Sequence, residues 1–129
     1  GHLPGKDGIY AASLLVEMAA VTNRPLLETY RELEAQFGRL YFEEEDFPLN
    51  AQSAKELSKL LFEEKALPKF GALIKSVSYL DGCKVTFANG GFAVVRFSGT
   101  EPLVRICAEM PKKREAQNCI DAFKTLMGL

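Results

Sequence analysis

Three features of the sequence predict an α+β fold. Four short runs of alternating apolar residues lie between positions 74 and 109, and glycine-bearing turns, Asp81-Gly82 and Asn89-Gly90-Gly91, separate the first three of them. Two apolar stripes at helical spacing, over 53–64 and after Pro111, supply helices to cover the sheet. Two-residue and three-residue turns of this kind join antiparallel neighbours. The expected architecture is therefore an antiparallel four- to five-stranded sheet covered by two helices on one face, preceded by two helices from the end of another domain.

The first helix is expected over 7–22, where Ile9, Leu14, Val16, Met18 and Val21, with several alanines, leave almost no polar side. Asp7 is placed to cap it, and Asn23 with Pro25 stops it and presets the first turn of the next helix. That second helix runs to Phe37, with Leu26, Leu27, Tyr30, Leu33 and Phe37 in one stripe and Gly38 as its left-handed cap. After Gly38 the period becomes two: Leu40, Phe42 and Glu44 share one face of a strand, Arg39, Tyr41 and Glu43 the other. Helical spacing returns over 53–64 through Leu57, Leu60 and Leu61, and Pro68 forbids its continuation. Strands follow at 74–80, 83–88, 92–97 and 103–109. The last helix, introduced by Pro111, buries Ala116, Ile120, Phe123, Leu126 and Met127. The two leading helices have no strand between them and do not fit the α+β unit, so they read as the tail of a neighbouring domain joined near Gly38.

Composition narrows the function. The 129 residues carry 16 Lys and Arg against 17 Asp and Glu, a net charge of -1, which gives no broad positive field for nucleic acid. Any anion recognition must be local. Cys83, Cys107 and Cys119 lack zinc-site spacing and read as buried thiols in a reducing compartment, with no disulfide and no structural metal. The apolar run at 9–21 is broken by Ser13 and Glu17 and is too short to span a bilayer. A cytoplasmic protein without membrane or nucleic-acid partners is expected.

The loop joining the last two strands is the most unusual stretch. Alternation sends Val95 and Phe97 to one sheet face and Arg96 to the other, where it can lean over the loop. Ser98 and Thr100 add hydroxyls, Gly99 permits close approach of the backbone, and Pro102 stiffens the exit. A phosphate dianion suits a forked guanidinium, two hydroxyls and backbone donors. Opposed to this cradle stands a plain surface turn, since Ser, Gly, Thr and Pro are all turn formers. Glu101 would repel a phosphate unless it points away or pairs with a cation. Arg105, four residues on, is the expected partner, so that Glu101, Pro102 and Arg105 brace the loop.

The run Arg96-Phe97-Ser98-Gly99-Thr100-Glu101-Pro102-Leu103-Val104-Arg105 closely resembles the RxSGTEPxxR phosphate-binding loop in the last domain of the α-D-phosphohexomutases, the family of phosphoglucomutase and phosphomannomutase. A second segment, Gly1-His2-Leu3-Pro4-Gly5-Lys6-Asp7-Gly8-Ile9, resembles the GHxPxKDGI segment that opens the last helices of the family's third domain. Order and separation, roughly ninety residues, agree too. The resemblance covers the whole chain and implies that 1–38 are the C-terminal helices of domain III, two helices from the end of an α/β domain, and 39–129 the complete domain IV, with a fold like that of the TATA-binding protein.

What the resemblance implies for function is interconversion of hexose 1-phosphate and hexose 6-phosphate through a phosphoserine and a hexose 1,6-bisphosphate intermediate. The phosphoserine, the Mg2+ loop and the sugar-binding loop would lie in domains I–III of the same chain, and nothing here replaces them. The fragment alone is expected to be inactive, holding the unreacting phosphate of the hexose phosphate with Arg96, Ser98, Gly99 and Thr100. Two alternatives stay open: a free-standing phosphate-ligand-binding module without catalysis and, within the family, phosphoglucosamine mutase, from which the KDGI match leans away.

Other residues carry weaker signals. His2 is a candidate for proton transfer, against the commoner structural use of an isolated histidine. Lys6 is a possible ligand contact within the matched segment. The acidic run Glu43-Glu44-Glu45-Asp46 points to alternate faces of a strand and reads as solvated rather than as a metal site.

Overall fold

A computed structural model describes residues 5–129, which fall into two compact units divided between Arg39 and Leu40. The first holds α1 (Gly8–Thr22) and α2 (Leu26–Phe37). Asp7 caps α1 by accepting from the Tyr10 N–H at 2.9 Å, and Asn23 ends it in the left-handed conformation at φ +50°. Pro25 stands one residue earlier than expected: with ψ at 140° it is the extended cap of α2 rather than part of its first turn. Gly38 also differs from expectation. Its φ of +87° is positive, but ψ of 160° lies outside the left-handed helical region, so it turns the chain out while its N–H still donates to Glu34 O at 2.9 Å. No residue of either helix is buried.

The second unit is one antiparallel sheet with helices on a single face. Its elements are β1 (Tyr41–Pro48), α3 (Ala51–Ser58), β2 (Ile74–Ser78), β3 (Cys83–Phe87), β4 (Phe92–Phe97), β5 (Leu103–Met110) and α4 (Lys113–Met127). The strands lie in the order β1-β5-β4-β3-β2. Consecutive hairpins make β2, β3, β4 and β5 neighbours, and β1 adds to the outside of β5 with Tyr41 opposite Met110 and Pro48 opposite Leu103. Alternation then sends Val85, Phe87, Val95, Val104 and Ile106 inward, where they meet Leu61 and the Ile120 and Phe123 side chains of α4. No helix among the described residues is long and apolar enough to cross a membrane.

Three local departures from expectation have physical causes. The helix after β1 starts at Ala51, because the Asn50 side chain accepts from the Ser53 N–H at 2.8 Å, and it widens over Lys59–Glu63 into a π-helical turn closed from Glu64 N–H to Lys59 O. That wider turn carries Leu60, Leu61 and Phe62 toward the core in succession, which regular α-helical spacing does not allow. In α4 Cys119 is buried, whereas Leu126 is only half-buried. In β1 the inward set is Tyr41, Glu43, Glu45 and Phe47, leaving Phe42 on the open face at 53% exposure.

The acidic run is correspondingly not just solvated. Glu45 accepts from Gln117 at 2.8 Å and from Lys124 at 3.0 Å, and Glu43 pairs with Lys113 at 3.4 Å, tying β1 to α4. Hydrogen bonds from Gln117 first and Lys124 second hold the Glu45 carboxyl below its ordinary 4.5. Of the cysteines, Cys83 and Cys119 are buried and Cys107 is half-buried on the open face. Burial pushes the Cys119 thiol up to about 11.

Candidate functional site

The loop from Ser98 to Pro102 is fixed by its backbone. Ser98 N–H donates to Leu103 O at 2.9 Å across the loop, Leu103 N–H donates to Glu101 O at 2.8 Å, and Leu49 N–H after β1 donates to Pro102 O at 2.8 Å. Beneath it Phe97 turns inward against Phe62, ring centroids 6.0 Å apart, so the π-helical turn supports the end of β4. The Ser98 hydroxyl oxygen accepts from the N–H groups of Thr100 (3.4 Å) and Glu101 (3.2 Å), which leaves its own proton free to donate outward. Gly99 and Thr100 are exposed. Among the described residues neither the Gly99 N–H nor the Thr100 hydroxyl has a protein partner. A Cβ on Gly99 would meet nothing within 4 Å, so packing does not require glycine there.

Arg96 projects from the open sheet face, where one of its terminal nitrogens donates to Asp81 Oδ2 at 3.1 Å. Directly opposite in the β4–β5 register stands Arg105. Two guanidiniums at facing positions repel, and three carboxylates answer them. Arg105 donates through Nε and Nη2 to both oxygens of Asp46, at 2.7 and 2.6 Å, and its Nε lies 3.4 Å from Glu44. These bonds hold Asp46 below its ordinary 3.8 and push Arg105 further above its already high range. The expected Glu101–Arg105 brace is a secondary one. Arg105 donates its hydrogen bonds to Asp46 on β1, 59 positions away in sequence, and exposed Glu101 adds only a smaller electrostatic attraction.

Arg96 and Arg105 line a concavity of about 550 Å³ on the open face together with Lys84, Phe92 and Cys107. Ser98, Glu101 and Pro102 line a different and smaller one, about 260 Å³, beside Asn50 and Phe97. The arginine and the hydroxyl loop thus adjoin along β4 without sharing one pocket in this conformation. Lys6 is exposed and belongs to the other unit; His2 lies outside the described residues. No group of three His, Cys, Asp or Glu among the described residues is arranged to hold a metal ion. The four acids of β1 are split between two faces and bonded to cations, so they do not fit Mg2+.

Sequence reading misses Asp81 as the partner of Arg96. Hairpin arithmetic contains the signal: with Cys83 opposite Val95, the turn at Asp81-Gly82 must run beside Arg96. Gly82 makes that approach possible. Its φ is +85°, and a Cβ there would come within 2.4 Å of Val95 O and 3.1 Å of Arg96 Cβ.

A family model described as the C-terminal domain of phosphoglucomutase/phosphomannomutase matches residues 51–126, a span that contains the whole 96–105 run, and the chain belongs to that family. Among solved structures the chain is similar to a protein of Thermus thermophilus assigned as a phosphomannomutase, at 25% identity and a TM-score of 0.67. That likeness takes in 99% of this chain but 24% of the other, so the chain spans about a quarter of that protein's length. No curated protein matches the chain.

Proposed function

We propose that the chain is the phosphate-holding end of a phosphohexomutase that interconverts hexose 1-phosphate and hexose 6-phosphate. Residues 39–129 act as its fourth domain and 1–38 as the closing helices of its third. The observation that carries this reading is the family match across a segment containing Arg96, Ser98, Gly99 and Thr100, on a loop that leaves one backbone N–H and two hydroxyl protons available to a ligand. The phosphoserine and the Mg2+ site belong, on this reading, to other parts of the enzyme, and this chain alone has no mutase activity.

The work assigned to the loop is positioning. Arg96 offers a fork to two phosphate oxygens, the Ser98 and Thr100 hydroxyls donate to them, and the Gly99 N–H completes the shell. Ser98 keeps its contacts to Thr100 and Glu101 while it donates, so the loop need not refold to bind. Because these contacts address an anion rather than a sugar ring, the same clamp serves a bisphosphorylated intermediate bound in either orientation. Phosphoryl transfer asks the protein chiefly for alignment and charge stabilisation, so a clamp remote from the reacting phosphorus governs rate.

Arg96→Ala in the intact enzyme tests this. Loss of a charge-assisted contact, about 1.5 to 3 kcal/mol, lowers kcat/KM by roughly 10- to 150-fold for hexose phosphates. Unchanged kinetics with every hexose phosphate would refute the clamp.

A further inference from the structure

Two arginines face each other across β4 and β5, and they are held in opposite ways. Arg105 is gripped at two nitrogens by both oxygens of one carboxylate and lies beside a second. Among the described residues Arg96 has a single hydrogen-bonded partner, Asp81 at 3.1 Å, with the two side chains 52% and 78% exposed. Asp81 is carried on the tip of the β2–β3 turn, which lies against the Arg96 backbone only because position 82 has no Cβ. An exposed single-bond ion pair contributes little to stability. The β3–β4 register already brings that turn beside Arg96, so the feature left to explain is the carboxylate at position 81 and its hold on the guanidinium.

We infer that Asp81 is a positioning residue that parks Arg96 in the unliganded protein and surrenders it to phosphate, resting on the phosphate-clamp reading above. In the parked state the guanidinium lies in the open-face concavity, apart from the pocket bordered by Ser98. A phosphate dianion at the loop offers more charge and two acceptors in fork geometry, and so displaces one carboxylate oxygen from the same side chain. Arg105, anchored on β1 by Asp46 and Glu44, stays in place while Arg96 changes partner. Asp81 thereby sets the threshold for phosphate capture. It keeps a lone mobile guanidinium paired when no substrate is bound, and it weakens binding by the strength of one surface ion pair.

The test is a titration of the 129-residue chain with inorganic phosphate, followed by NMR through the Arg96 side-chain Nε–Hε signal and the amides of Gly99 and Thr100. Asp81→Asn should tighten phosphate binding about two- to five-fold, the range of an exposed ion pair. It should also shift the free-state Arg96 signal toward its position in the phosphate-bound parent. Asp81→Glu, which restores the carboxylate, should return both to parent values. Tighter binding with the Arg96 signal unmoved would reduce the effect to general charge and overturn the inference. So would Asp81→Asn binding no tighter than the parent while Arg96→Ala loses binding more than about tenfold, and in that case the clamp itself stands. Equal binding by Arg96→Ala and the parent would remove the clamp, and the parking role with it.

Discussion

Within one chain, two pairs of helices with apolar surface to cover meet different fates, α1 being apolar on nearly every side and the others along one stripe. In α3 and its π-helical extension, and in α4, the stripe lies against a sheet, and Leu57, Leu61, Ile120 and Phe123 are buried. In α1 and α2 nothing is buried: Ile9, Val16, Val21 and Phe37 are each at least 70% exposed. Every buried hydrophobic residue among those described belongs to Leu40–Leu129. A helical stripe records what a segment needs to be covered by, and whether the cover is present is decided elsewhere in the protein. On the reading proposed above, the cover for α1 and α2 is the remainder of a third domain.

The contrast makes predictions that start at the core. Phe123→Ala should cost about 3 to 5 kcal/mol in urea unfolding, because a fully buried ring against Phe70 leaves a cavity the sheet cannot close. A cost under about 1 kcal/mol would mean that the second unit is not the self-sufficient body its packing describes.

Next in size is the tie between β1 and α4. Glu45→Gln should lose about 1 kcal/mol at neutral pH, a value kept small because the pair is about one-third exposed. Its carboxyl is held below the ordinary value in the folded chain, so the contribution is complete above about pH 4.5 and fades as pH falls through the lowered folded value. Parent and variant stabilities should therefore converge on acidification. A gap that widened in acid would contradict the assigned hydrogen bonds.

Smallest is the effect in the first unit. Val16→Ala, at 70% exposure, should change the stability of this chain by less than about 0.5 kcal/mol. A loss as large as that of Phe123→Ala would erase the distinction between the units.

Much of this architecture is legible in the sequence because its causes are local. Asp81-Gly82 and Asn89-Gly90-Gly91 sit at the first two of three hairpin turns, Asp7 caps α1, and Phe92 to Phe97 is a strand with its bounds as read. The departures have a common origin in contacts between distant segments. Nearness in sequence matches Arg105 to Glu101, four residues off, whereas its carboxylate comes from Asp46 across the β1–β5 ladder. The acids of β1 look solvated in sequence because Lys113, Gln117 and Lys124 are about seventy to eighty positions downstream. The π-helical turn is invisible there because one extra residue in a turn leaves no compositional mark. In the candidate site the residue types of the loop are legible, while the carboxylate that competes for Arg96 emerges only when the strand register is known.

The strand order has a last consequence, for what the sheet refuses. Its two outermost members are β1 and β2, whose free rims offer backbone groups that a stray polypeptide from another molecule could join to start a fibril. β2 is five residues long and irregular between Ile74 and Ser76, with Lys75 at the break, so an incoming segment finds neither length nor register. β1 is longer but carries four successive acids and ends at Pro48, which has no N–H to give. The same carboxylates that tether β1 to α4 and Arg105 thus also keep one molecule's sheet from extending into the next.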